Sequence, residues 1–286
     1  MQTTGDFHVL QVDVPMKKAG QKFTLIPFGD VHRDAPGFAD DVWQEFLARA
    51  KSAENPLFLG MGDYTDSVST SERIILGDAG LHESTKATLA KHCDGTIALL
   101  SRELSFMRGK MIGILGGNHY YGFEDGTTGD QRLASKLGCP YLGVCAAIRV
   151  SFSWPHSNKK VAVDIWAHHG QGAGTTVGGS LNRVAKMAEY AYCNIFLMGH
   201  DHGRGVVPLR PMLTMVTGQG KARVKEYHRY AGRTGSFLKS YEAGRPNYNV
   251  DACRSPANLG WIEFELLPKR IYGKDETLLV EIRATA

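Results

Sequence analysis

Cysteine is scarce in this 286-residue chain: Cys93, Cys139, Cys145, Cys193 and Cys253 are odd in number, scattered, and never spaced Cys-x-x-Cys. A disulfide framework and a zinc knuckle are thereby excluded as organising devices, and the thiols read as buried groups of a reducing compartment. No apolar run reaches membrane-spanning length. Met1 to Pro15 carries polar residues and a short alternating stretch where a secretory signal would carry an apolar segment. A cytoplasmic protein without a membrane partner is expected. The net charge of +4 is too small to name a partner, and the chain has no internal repeat or low-complexity tract. Two nucleotide-binding look-alikes also fail, although the first can still be a loop whose amides touch phosphate beside a ligand site. Gly170 to Gly179 has Thr175 where a dinucleotide fingerprint needs its third glycine, and around Gly218-Gln219-Gly220-Lys221 Met215 and Ala222 replace the required Gly and Ser/Thr.

What is present is 43% hydrophobic composition, enough for a full core, and an alternation of short apolar runs with amphipathic stretches. Strands are expected over Phe23 to Phe28, Leu57 to Leu59, Met111 to Leu115, Val161 to Ala167 and Asn194 to Met198. Helices are expected over Asp40 to Ser52, Ser84 to Met107, Asp130 to Leu137 and Asn182 to Ala191. This is an α/β pattern with polar residues gathered at strand carboxyl ends, where α/β sheets place their ligand sites. Beyond Gly205 the alternation stops, leaving short strand-like pieces at Leu213 to Val216, Trp261 to Leu267 and Thr277 to Ile282. The expected division is a core over 1–205 and a C-terminal elaboration over 206–286 that completes the sheets without forming an independent domain.

The strand ends hold the residue types of a binuclear metal site. A pair of divalent ions needs hard oxygen ligands, neutral imidazoles and one carboxylate able to bridge. Asp30-x-His32 can aim two side chains at one ion from a turn that Gly29 permits, and Asp63, again after glycine, is the natural bridge. Asn118 offers a neutral amide oxygen, and His169, His200 and His202 complete the set. Of the adjacent His168 and His169, only one should face the ions. Asp66 reads as a turn or supporting hydrogen-bond residue, and Asp201 should point away from the ions. His8, His82, His92, His156 and His228 read as structural or surface residues.

In order along the chain, Gly-Asp-Val-His, Gly-Asp-Tyr-Thr-Asp, Gly-Asn-His, His-Gly and Gly-His-Asp-His resemble the five blocks of the calcineurin-like metallophosphoesterase superfamily, over roughly Phe23 to Gly205. The resemblance implies a four-layer α-β-β-α sandwich of two mixed sheets, with the metal site at the strand C-terminal ends. It implies one ion on Asp30, His32, Asp63 and His202 and another on Asp63, Asn118, His169 and His200. Manganese is the first choice of metal, with iron, zinc or nickel also suited to the ligand set. It further implies a water activated by the ion pair and in-line attack on a phosphate ester, with His119 protonating the leaving oxygen. Relatives often follow Gly-Asn-His with an acid that orients this histidine. Tyr120 and Tyr121 stand there instead, leaving Glu124 or Asp125 as substitutes.

Arg33, Tyr120 and Gly172 are candidate substrate contacts. From Arg204 to Arg254 the chain has ten Lys or Arg against three acids, interleaved with Tyr227, Tyr230, Phe237, Tyr241 and Tyr248. That mixture suits nucleic-acid backbones and bases, so phosphodiesters, DNA or RNA among them, are favoured over nucleotide or protein monoesters. A non-catalytic binding or assembly protein is the reading from another class.

Overall fold

The computed structural model describes residues 7–78, 80–172, 176–218, 221–244, 250, 255–272 and 276–286. Its chain order is β1 (Phe7–Pro15), β2 (Phe23–Phe28), α1 (Asp40–Ser52), β3 (Pro56–Gly60), α2 (Thr70–Asp78), α3 (Glu83–Glu103), β4 (Met111–Ile114) and α4 (Gly129–Leu137). There follow β5 (Cys145–Ser153), β6 (Lys160–His168), α5 (Val177–Ala185), β7 (Ile195–Met198), β8 (Arg204–Gly218), β9 (Lys221–Thr234), β10 (Glu263–Ile271) and β11 (Thr277–Thr285).

The strands form two mixed sheets, ordered β1-β5-β6-β7-β9-β8 and β11-β10-β2-β3-β4. Between them lies an apolar layer that includes Leu25, Leu59, Ile148, Val163, Leu197 and Phe264. A second core joins α1, α3 and α4 to the outer face of the five-stranded sheet through Trp43, Phe46, Ile97, Leu133 and Phe58. A third packs α5 and the turn after it against β7 and β9 through Val184, Met187 and Phe196. The result is the four-layer α-β-β-α sandwich. Within it β2, β3 and β4 run parallel, as do β6 and β7, so five strand carboxyl ends open on the loops that carry the candidate ligands. Beyond residue 205, β9 pairs with β7 and β10 with β2.

Local chemistry accounts for the clear elements. α1 places Trp43, Phe46, Leu47 and Ala50 inward, with acids in its first turn and bases in its last, which suits the helix dipole. α4 opens with a capping box from Thr128 and Gln131 and closes on left-handed Gly138. Other elements differ from the sequence expectation. α5 begins at Val177, five residues earlier than expected, because Thr176 caps it by accepting from Gly179 N; the glycine-rich stretch is thus partly helix. β8 and β9 form one long antiparallel hairpin where only Leu213 to Val216 was expected. β1, β5 and α2 were not anticipated as elements. Among the described residues no helix is long and apolar enough to cross a membrane, and the four described cysteines are free thiols; Cys253 lies outside the described residues.

Candidate metal centre

The loops after β2 and β3 zip together through their backbones. Asp30 N donates to Gly62 O (2.9 Å), Val31 N and His32 N to Asp63 O (2.8 and 3.1 Å), and Arg33 N to Tyr64 O (3.0 Å). This fixes the backbones of Asp30, His32 and Asp63 relative to one another. The loop after β7 joins them when His200 N donates to both Asp30 carboxylate oxygens (3.1 and 2.9 Å). Gly62 is required twice over: its φ is +99°, and a Cβ there would lie 2.5 Å from His169 Nδ1.

Among the described residues seven non-glycines have positive φ, and five of them are Asp30, His32, Asp63, His200 and His202. Asp and His tolerate this region better than most residues, yet each still carries strain of order 1 kcal/mol or more. Strain concentrated on five candidate ligands is what a strand-end turn produces when the side chain's aim, and not local comfort, sets the backbone.

Among the described residues three clusters result, and two of them hold the expected ligands, Asp30 with His32 and His202, and Asp63 with His169 and His200; the third is His32 with Asp66 and His119. Asp63 Oδ2 lies between the first two, 3.9 Å from His32 Nε2 and 3.3 Å from His169 Nε2. Its other oxygen accepts from His119 N at 2.8 Å. Asn118 Oδ1 is 3.0 Å from His169 Nε2 and 2.7 Å from His200 Nδ1. Of the adjacent pair, His169 faces the site. His168 Nδ1 instead accepts from Gly170 N (2.8 Å) and folds back on its own turn. Asp201 points away, accepting from Ser180 Oγ (2.6 Å) beside the buried Arg233 guanidinium at 3.1 Å.

The donor set fits divalent cations. His169 Nδ1 lies 2.8 Å from the Met61 carbonyl, which can only accept, so its proton sits there and its Nε2 lone pair faces the oxygens of Asn118 and Asp63. His32 Nδ1 likewise meets the Asp66 carboxylate at 2.9 Å, leaving Nε2 buried with no hydrogen-bond partner and aimed at Asp63. Lone pairs converging on lone pairs repel; a cation among them removes the conflict. Without a cation a proton must serve. Burial alone would push the His169 ring towards neutrality, but the Asp63 carboxylate reverses this and holds it up at about 9. Burial would raise Asp63, yet His169 and His32 keep it well below the ordinary carboxylate range. Burial lowers His200 to about 4, with His169 adding to it, and lowers His202 to about 3 with help from His32; both rings are therefore neutral and ready to ligate.

A metal-affinity prediction follows from His169. Binding displaces its proton and, below about pH 7, also that of the Asp30 carboxyl, which burial raises, so affinity for zinc is expected to rise about tenfold per pH unit from about pH 7 to 9, more steeply below 7, and to flatten above 9. Titrations at three pH values check this, and a pH-independent affinity would contradict it.

His119 sits beside the clusters, its ring 4.9 Å from that of His32. Its Nδ1 lies 3.2 Å from Asp66 Oδ1, so the acid that meets this histidine is Asp66, which also meets His32. Asp125 is committed elsewhere, accepting from Thr127 and Arg132, and Glu124 is exposed. Burial would lower His119, but its Asp66 hydrogen bond, with the Asp63 charge, raises it to about 9. The signal for Asp66 was available in Gly-Asp-x-x-Asp, whose spacing returns the second carboxylate to the site.

The candidate substrate contacts are placed less uniformly. Arg33 forks onto Glu103 (2.9 to 3.3 Å), which also takes the Trp43 indole N–H. Tyr120 lies under the Arg73 guanidinium, 3.8 Å from ring centroid to carbon. Gly172 adopts φ +70° against the Arg183 side chain, next to residues that are not described. The basic segment does not form a single face. Arg233 and Phe237 are buried, Arg229 donates to the Ala188 and Arg210 carbonyls, and Tyr227 and Tyr230 donate to Asn194 and the Ile282 carbonyl. Arg210, Arg223 and Lys225 remain on the surface of the β8–β9 hairpin; Arg245, Tyr248 and Arg254 lie outside the described residues.

Arg233 supports the His200–His202 turn from beneath, donating to Gly199 O (2.7 Å) and Ser180 O (3.1 Å). Arg233→Met is expected to cost about 3–5 kcal/mol, because it leaves the Asp201 carboxylate buried and unpaired. Denaturant unfolding checks this; a loss below 1 kcal/mol, taken as about the value of an exposed pair, would show the pair to be dispensable.

No protein-family model matches this chain, and no curated protein matches it. Among solved structures it is similar to the crystal structure of Chaetomium thermophilum Vps29, at 10% identity over 94% of this chain and 97% of that one, with a TM-score of 0.34. A likeness this distant carries no argument about activity. The functional reading rests on the site.

Proposed function

We propose that this protein is a metal-dependent phosphoesterase that hydrolyses phosphate esters, phosphodiesters in preference, at a centre of two divalent ions. The observation that supports it most is Asp63 Oδ2 lying between two Asp/His clusters whose lone pairs converge. Asp30, His32, Asp63 and His202 would hold one ion, and Asp63, Asn118, His169 and His200 the other; manganese is the first candidate, with iron, zinc or nickel as alternatives. When bound, such a pair lowers the pKa of water and neutralises charge on phosphoryl oxygens.

The remaining steps belong to the chain. Asp63 accepts from His119 N with one oxygen and keeps the other for the centre, which places the imidazole at the rim. Asp66 holds that ring, and its charge favours the protonated form that donates to the leaving oxygen. Asn118 adds a ligand oxygen without adding negative charge beside an anionic substrate. The preference for diesters, with DNA or RNA as candidate substrates, draws on the hairpin cations Arg210, Arg223 and Lys225.

Protein loaded with manganese is expected to hydrolyse bis-p-nitrophenyl phosphate faster than p-nitrophenyl phosphate. The reverse ratio would move the reading to monoesters. Two bound ions with no turnover of either ester would leave a metal-containing binding protein.

A further inference from the structure

We propose that Arg73 is a positioning residue for His119, a role that rests on the phosphoesterase reading. Arg73 projects from α2, a nine-residue helix that no sequence motif touches. Its Nη1 donates to three backbone carbonyls: Val68 at 2.7 Å, Asn118 at 2.9 Å and Tyr120 at 3.2 Å. Its planar face lies on the Tyr120 ring at 3.8 Å. Asn118 and Tyr120 flank His119, so one guanidinium holds the carbonyls of both neighbours of the imidazole. The Val68 carbonyl also accepts from Tyr120 N at 3.1 Å, which ties the same point into the loop a second time.

The geometry calls for arginine. The three carbonyls share the two hydrogens of Nη1 while the guanidinium plane lies on the Tyr120 ring, and an ammonium, a compact charge on a flexible stem, has no planar face for that stack. Arg73 acts on the reaction through His119. With His119 N on Asp63 Oδ1 and its ring on Asp66, the Arg73 contacts remove the remaining freedom, rotation of the 118–120 peptides that would swing the ring off the leaving oxygen.

The variants Arg73→Ala and Arg73→Lys, loaded with zinc, test this by two readouts. Hydrogen exchange over residues 116–121 is expected to speed up in both, with two ions per chain retained. Turnover of a bis-phenyl ester, whose leaving group needs a proton, is expected to fall about 100-fold, and of the bis-p-nitrophenyl ester only about threefold, because nitrophenolate leaves unaided. Unchanged exchange, or equal losses on both esters, would overturn the assignment. If the unmodified protein turns over neither ester, the phosphoesterase reading fails by itself. The exchange comparison then still decides whether Arg73 fixes the loop, and unchanged exchange overturns the proposal there too.

Discussion

Replacing Asp63 by Asn is expected to empty both metal positions together and to abolish hydrolysis. The reason is geometric: Oδ2 is the oxygen placed between His32 Nε2 and His169 Nε2, so one substitution withdraws a charge from both clusters at once. Asn keeps the volume and an oxygen to accept from His119 N, which separates loss of charge from loss of shape. Removing a group that merely supports a ligand costs about 10–100-fold in metal affinity; removing the shared carboxylate should exceed that at both positions. Counting ions per chain and measuring turnover decides it. A variant that loses one ion and keeps the other would place Asp63 in one cluster only.

His119→Ala should behave in the opposite way, keeping two ions while turnover falls by about 10²–10⁴, the range for loss of a proton donor. His119 touches the clusters through its backbone N–H and a ring packed against His32, and Asp66 faces its Nδ1. Truncation therefore spares the ligands. The drop should shrink for esters with good leaving groups, since the proton matters least there. Loss of metal in this variant would mean that the ring is a ligand, a possibility the cluster of His32, Asp66 and His119 makes concrete.

The strand-end residues were legible in the sequence because a short apolar run followed by Gly-Asp or Gly-His is local information. β2, β3, β4 and β7 are buried along almost their whole length, which makes them continuous apolar runs, and the polar residue ending each run stands out. What could not be read was set by position in the sheet. Pro208 and Pro211 argue against a strand, yet β8 is the edge strand, where a missing N–H is tolerated, and a register shift between Leu209 and Met212 absorbs the irregularity. α2 has no apolar face to detect, since Ile74 and Ile75 are exposed; its contribution is one guanidinium reaching another loop. The partner of His119 was sought among the acids that follow it in the chain, and Asp66 comes from the loop after β3. Arg233 counted among the basic residues of a surface segment until the fold buried it against Asp201. For Arg73, Asp66 and Arg233 a contact between segments distant in the chain, invisible to spacing, overrode the local pattern.

The most direct test of the two-ion centre is an anomalous difference map from crystals of the protein loaded with manganese. Two peaks are predicted, one among Asp30, His32 and His202 and one among Asn118, His169 and His200, with Asp63 between them. A single peak, or a peak among His32, Asp66 and His119 in place of either, would contradict the account.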